Sequence, residues 1–189
     1  TSLSHRQKIL WKYKELLEQN REPLVDLISK EHGKTLEDAR GEFYRGLEVV
    51  QYACALPETL KGEYSENVSR GVDCHTLRKP LGVCVGITPF NFPVMVPLWM
   101  YPIAIACGNT FILKPSEKDP SASGLLAQLF CDAGLPAGVF NVLHGDRQAV
   151  EALLDHPGVD SISFVGSTPV AKFIYERGSA RGKRVQALG

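Results

Sequence analysis

These 189 residues lack both common nucleotide fingerprints. There is no G-x-G-x-x-G and no G-x-x-x-x-G-K-[ST], so a bound nucleotide would need some other turn to hold it. C-x-x-C is absent too. The cysteines, Cys54, Cys74, Cys84, Cys107 and Cys131, are scattered and odd in number. Three lie in apolar surroundings, the pattern of small buried hydrophobes in a reducing compartment. The histidines fall at no metal-ligand spacing, and neighbours such as Cys74 and His75 point to opposite faces of a strand, so no metal site is expected. Lys plus Arg equal Asp plus Glu at 21 each. With no basic block, the charge argues against a nucleic-acid partner. No signal-like apolar segment stands near the start. Nor does an initiating Met; the chain opens inside a helix signal and stops on Gly189, which reads as a piece of a longer protein. That start leaves bacterial cytoplasm and mitochondrial matrix equally open as compartments.

Charge is missing altogether between Lys79 and Lys114. Length and lack of charge raise the possibility of a membrane span. Pro89, Pro93, Pro97 and Pro102 break the run, with Gly82, Gly86 and Asn91 besides, and lipid offers no substitute for the lost hydrogen bonds. The stretch reads instead as strand, turn, buried helix, strand, polar turn. Val83, Val85 and Ile87, then Phe111 to Leu113, suit strands covered on both faces, and a helical crossover makes them parallel. Ligands in such sheets lie outside the carboxyl ends of the strands, where Thr88 to Asn91 and Lys114 to Glu117 fall.

The rest of the chain fits around this unit. Ser4-x-x-Gln7 is a capping-box pattern before a helix carrying Ile9, Leu10, Tyr13, Leu16 and Leu17. Pro23 sits in the first turn of a second helix, with Leu24, Leu27 and Ile28 on its apolar face, that Gly33 stops. Thr35 can cap a third over about 36 to 56, amphipathic through Phe43, Leu47, Val50 and Cys54. Residues 62–79 change character, and Val72 to Lys79 reads as a half-buried strand that lies outside the main sheet or pairs with another chain. Beyond Pro80, strand and helix alternate. Asp119-Pro120 resembles a cap before a helix over 121–133, then come strand 139–143, a helix capped by Asp146, strand 161–165, a helix after Ser167 carrying Val170, Phe173 and Ile174, and a strand from Arg184. Alternation of this kind predicts an α/β fold, a Rossmann-like parallel sheet flanked by helices. The expected organisation is a helical part over 1–61, a β-ribbon segment over 62–79 and the Rossmann-like core over 80–189.

Two turns carry candidate chemistry. Lys114-Pro-Ser-Glu117 could hold the hydroxyls of a nucleotide ribose, since a carboxylate accepts from a diol and repels a 2′-phosphate; it could equally be a surface turn before a helix. Phe164-Val-Gly-Ser-Thr168 ends a strand and opens a helix, where N–H groups and the helix dipole suit a pyrophosphate; a plain turn with a Ser/Thr cap has the same sequence. Asn91, a polar side chain in an apolar setting, either caps the following helix or points into a site. A side-chain amide there could stabilise an oxyanion.

Taken in order, Pro89-Phe-Asn-Phe-Pro93, Gly108-Asn-Thr110, Lys114-Pro-Ser-Glu117, Gly134-Leu-Pro-x-Gly138-Val-Phe-Asn-Val142 and Phe164-Val-Gly-Ser-Thr168 resemble the aldehyde dehydrogenase superfamily over most of the chain. Thr88 through Pro102, with Tyr175-Glu-Arg-Gly-Ser179 and Lys183-Arg-Val-Gln186, looks most like its CoA-acylating methylmalonate-semialdehyde dehydrogenase branch. The resemblance implies NAD as cofactor and coenzyme A as co-substrate. It implies that Asn91 is the oxyanion amide, that Thr88 and Phe90 line the cofactor cleft, and that Lys114, Glu117 and the adjacent Lys118 hold the adenosine ribose. Gly166 and Ser167 would approach the pyrophosphate, and Gly189 would lie against the cofactor. This family binds NAD without the glycine fingerprint.

Hydrolytic members carry a glutamate, in a Glu-Leu-Gly-Gly run, that activates water. Here the run is Gln186-Ala-Leu-Gly189, and that glutamate's counterpart is Ala187 or Leu188, an interior strand residue that cannot take a proton. A thiol nucleophile such as coenzyme A then prevails over water. None of the five cysteines matches the family's nucleophile motif, so that residue is expected after Gly189. The resemblance also implies a small aldehyde substrate and a homodimer or homotetramer, with 62–79 beginning the oligomerisation ribbon. A hydrolytic member of the family and a non-catalytic nucleotide-binding module remain the competing readings.

Overall fold

The computed structural model describes residues 1–189. Three helices come first, α1 (Leu3–Gln19), α2 (Arg21–His32) and α3 (Leu36–Thr59). Ser2, not Ser4, caps α1: its hydroxyl accepts the His5 N–H at 3.2 Å. Ser2 has the extended backbone that a cap needs. Gln7 does not reach back to close a capping box; its amide donates to Cys54 O at 2.9 Å and ties α1 to α3. Gly33 ends α2 in the left-handed region at φ 85°. The Thr35 hydroxyl accepts the Asp38 N–H to start α3, which runs on through Pro57. Phe43, Leu47, Val50 and Cys54 are buried as their spacing predicts, whereas in α2 Val25 rather than Leu27 joins Leu24 and Ile28 inside.

Residues 64–75 form a hairpin, β1 (Tyr64–Ser69) antiparallel to β2 (Val72–His75), exposed throughout. The strand expected over 72–79 is therefore shorter, finds its partner in its own chain and buries neither face. With no face to bury, β1 has no alternating pattern for the sequence to betray.

The main sheet contains β3 (Val83–Ile87), β4 (Thr110–Lys114), β5 (Phe140–Val142), β6 (Ser161–Val165) and β7 (Arg184–Leu188). All pairs are parallel, in the order β5-β4-β3-β6-β7. The crossovers are α4 (Met95–Ala106), α5 (Ser121–Asp132), α6 (Arg147–Asp155) and α7 (Thr168–Ala180). Side chains alternate between two cores. Cys84, Phe111, Leu113 and Phe140 face the large cluster built with α1 to α5. Val85, Ile87, Ile162 and Phe164 face the smaller one under α6 and α7. In the large core Tyr13 stacks on Phe130 at 4.1 Å and Tyr101 on Phe140 at 4.2 Å. The two tyrosine hydroxyls there hydrogen-bond each other, which satisfies polar groups that burial would otherwise penalise.

Two helix starts differ from expectation. Asp119 does not cap α5. The cap position is Pro120, and Glu31 of α2 accepts the Ser121 N–H at 3.1 Å instead. In α7 the buried stripe is Ala171, Ile174 and Gly178, while Val170 is exposed. Gly178 sets that rotation: a Cβ there would stand 2.8 Å from Val185 Cγ2, so β7 and α7 meet at this glycine. No helix is long and apolar enough to cross a membrane.

Candidate functional site

The chain winds from β3 outward through β4 to β5, then crosses back to lay β6 on the other side of β3. Such a reversal opens a crevice outside the carboxyl ends of the two strands at the switch. In register, Ile87 pairs with both Lys114 and Phe164. Thr88, the Lys114–Glu117 turn and Gly166-Ser167 therefore leave the sheet at one rim. Neighbouring strands lie about 4.8 Å apart, so the outer two turns stand roughly 10 Å from each other across β3.

At the end of β4, Lys114 is buried and its Nζ meets Glu117 Oε2 at 3.2 Å, while the Glu117 side chain is 56% exposed. The Glu117 backbone N–H holds that carboxyl below its ordinary pKa against the opposing effect of burial, and Lys114 adds a weaker pull downward. An exposed, anionic acceptor thus stands at the rim. Thr88 is buried, donates its N–H to Lys114 O at 3.2 Å, and keeps its hydroxyl without a partner. Phe90 is exposed, with the Lys118 ammonium 4.3 Å from its ring centre and the His32 ring stacked at 6.2 Å. This pair closes the gap between the β3 and β4 turns.

The end of β6 is less open. Gly166 gives its N–H to Leu188 O at 3.0 Å, and a Cβ on it would come within 2.4 Å of Phe164 Cζ. Its lack of a side chain is thus required by Phe164, and its N–H is already used. Ser167 is exposed and makes no side-chain cap, which leaves the start of α7 open, though Pro169 removes one donor. Gly189 packs on the first turn of α7, where a Cβ would stand 2.7 Å from Thr168 Cα.

The β3 turn is anchored from behind. Asn91 is exposed, not set among apolar groups, and offers α4 no cap. That cap comes from Glu42 of α3, fully buried, whose Oε1 accepts the N–H groups of Val94 at 2.8 Å and Met95 at 3.2 Å. Its Oε2 takes Lys34 Nζ at 2.6 Å, and Lys34 also donates to Asn91 O at 2.8 Å. An open hollow of about 370 Å³ adjoins Asn91, walled by His32, Lys34, Asp38, Arg45 and Phe92. Arg45 lies 5.6 Å from the Phe92 ring centre and donates to Gly41 O. No acid pairs with it.

Strand β7 separates the two possible counterparts of the hydrolytic glutamate. Ala187 packs toward the α6–α7 core. Leu188 points the other way, 53% exposed, into a groove with Trp99, Val165 and Gln186. Of the two, position 188 lies on the open face of β7 and Ala187 on the covered one. Another cavity, of about 280 Å³, lies at the opposite rim beside Thr110, where β4 begins. Among the cysteines, burial pushes Cys54 up to about 11 and raises Cys84 and Cys107, which makes poor thiolates of all three.

Sequence reasoning missed Glu42, Lys34 and Arg45. Glu42 had a signal: it interrupts the buried stripe Ala39, Phe43, Gly46, Leu47. Arg45 had none, because an arginine on an exposed helix face is ordinary.

The aldehyde dehydrogenase family model matches residues 1–189. The malonate-semialdehyde dehydrogenase of Pseudomonas aeruginosa is 64% identical over the whole chain, which covers 38% of that protein. The mitochondrial acylating methylmalonate-semialdehyde dehydrogenase of Arabidopsis thaliana is 52% identical over 99% of this chain and 31% of its own. A Sinorhizobium meliloti 1021 structure complexed with NAD superposes with a TM-score of 0.96 at 48% identity, covering 98% of this chain and 38% of that one. The chain thus spans roughly a third of the length of these relatives. With the parallel sheet, its switch point and the full-length match in agreement, the chain belongs to the aldehyde dehydrogenase family.

Proposed function

We propose that this chain supplies the NAD-holding part and the oxyanion amide of a CoA-acylating dehydrogenase of malonate or methylmalonate semialdehyde. The observation that carries the reading is the shared rim: Thr88, Asn91, Glu117 and Ser167 all leave the sheet where the strand order reverses. Glu117, anionic and exposed, suits the two hydroxyls of an adenosine ribose. The unpartnered Thr88 hydroxyl and the Phe90 ring line the same edge. Ser167 and the uncapped start of α7 suit the pyrophosphate, with Gly166 and Gly189 beside them. NAD held by these residues would supply the hydride acceptor for the oxidation.

In the whole protein, a cysteine thiolate from sequence beyond these residues attacks the aldehyde. The Asn91 amide donates to the oxyanion that forms, where electrostatic stabilisation is worth most. Arg45, exposed beside Asn91 and without an acidic partner, suits the carboxylate that distinguishes a malonate-type semialdehyde from a plain aldehyde. Neither Ala187 nor Leu188, the two counterparts of the hydrolytic glutamate, can act as a base to activate water, so coenzyme A removes the acyl group. Loss of CO₂ then gives acetyl-CoA from malonate semialdehyde or propanoyl-CoA from the methylmalonate analogue. Such chemistry belongs to valine catabolism, in a bacterial cytoplasm or a mitochondrial matrix. The exposed β1–β2 hairpin suits pairing with another copy in a dimer or tetramer.

The test is NADH production by the complete enzyme with malonate semialdehyde, with and without coenzyme A. The expected result is sustained turnover only with the thiol present. Equal steady-state rates without it would overturn the acylating assignment in favour of a hydrolytic enzyme.

A further inference from the structure

We infer that Glu42 and Lys34 are positioning residues for the Asn91 carboxamide, an inference that rests on the reading of Asn91 as the oxyanion donor. Little in the turn itself fixes its shape. Pro89 and Pro93 have no N–H, no side chain of the turn caps α4, and the first turn of α4 carries no acid. The missing groups arrive from α3. A Cβ at Gly46 would stand 2.8 Å from Leu98 Cδ1 and 3.2 Å from Met95 Cα, so α3 and α4 run in close contact at this glycine. One turn earlier, Glu42 therefore lands at the start of α4, where a carboxylate also favours the helix dipole.

A fully buried carboxylate is tolerated only if its oxygens are satisfied. Those of Glu42 take three donors, Val94 N–H, Met95 N–H and Lys34 Nζ. Lys34 passes the constraint on: its second hydrogen bond holds Asn91 O at 2.8 Å, and its ammonium lies 4.5 Å from the Phe92 ring centre. The segment is thus fixed at the carbonyl of 91, the ring of 92 and the N–H groups of 94 and 95. Asn91 itself remains exposed and borders the same open hollow as Lys34 and Phe92. A donor that must meet developing charge gains from being set beforehand, and a misplacement of about 1 Å can cost on the order of 100-fold in rate.

The experiment uses the complete enzyme with Lys34→Met, Glu42→Gln and Asn91→Ala, alone and paired. Lys34→Met should lower kcat about 10- to 100-fold with KM for aldehyde and for NAD within about 2-fold, the pattern of an interaction made in the transition state. Glu42→Gln, which keeps the shape of the side chain, should act in the same direction. Lys34→Arg, which still donates to both oxygens, should recover most of the rate. In the Asn91→Ala background neither change should cost more than about a further 2-fold, because residues acting through one group are not additive. A full multiplicative loss in that background, or a change in KM with kcat intact, would overturn the positioning role alone. An Asn91→Ala enzyme with unaltered kcat would overturn the oxyanion reading and the positioning role with it.

Discussion

Asp119 is a buried acid without a hydrogen-bond partner at either oxygen, and replacing it with asparagine should remove the pH dependence it imposes. Burial, then the neighbouring Glu31 and Glu42, pushes its pKa from 3.8 up to about 6, against weaker help from Ser116 and Lys34. Below about pH 3.8 the proton is bound in folded and unfolded chains alike, and the group contributes nothing. Between 3.8 and 6 the unfolded chain releases the proton and the folded one keeps it, so the unfolded state gains. Above 6 both are ionised and the full cost stands. About two pKa units at 1.36 kcal/mol each make that cost about 3 kcal/mol, an order-of-magnitude figure. Asp119→Asn keeps the shape and removes the charge. Urea unfolding should therefore find the variant more stable than the parent by about 1–3 kcal/mol at pH 8 and equal to it near pH 4. A difference that does not change with pH, or a variant less stable at pH 8, would refute the reasoning.

Two further outcomes test the proposed site. Glu117→Gln should weaken NAD binding by about 10-fold or more, the scale of a charge-assisted hydrogen bond, and narrow the preference over NADP; titration calorimetry reads both, and an unchanged Kd counts against the ribose role. Arg45→Leu in the complete enzyme should raise KM for malonate semialdehyde about 10- to 100-fold while leaving that for propanal within about 2-fold; an equal rise for both would remove Arg45 from carboxylate recognition.

Much of the architecture was legible because burial is periodic. Phe43, Leu47, Val50 and Cys54 mark α3, and the uncharged run between Lys79 and Lys114 marks β3, α4 and β4. The hairpin partner β1 was not, since all six of its residues face solvent and nothing in their order depends on a face. Helix starts were read correctly at Thr35 and Asp146, where the cap is local, and incorrectly at Asp119, where the acceptor is Glu31 from another helix. The rim turns were placed by strand order, a property of the whole sheet; residue type marked them as candidates, and motif resemblance chose between the open readings. Gly166 shows the limit of residue type as a guide: a glycine at a strand end suggests a ligand, and Phe164 accounts for this one.

Glu42 and Asp119 sharpen that distinction, because residue type and burial are nearly the same for both. Each is a carboxyl group with almost no exposure, behind a turn of the same rim. What separates them is the count of donors. Glu42 has two backbone N–H groups and an ammonium, and a charge so satisfied acts as a strut between α3 and α4. Asp119 has none, and its charge is a liability that appears only as the proton leaves. Lys34 influences both, since it bonds Glu42 directly and lowers the pKa of Asp119 from a distance. Ionising Asp119 therefore sets a second negative charge competing for the one ammonium that also holds Asn91 O. The β3 and β4 turns are thus electrostatically linked from behind, through Glu42 first and Lys34 after it, rather than across the rim where a ligand would lie.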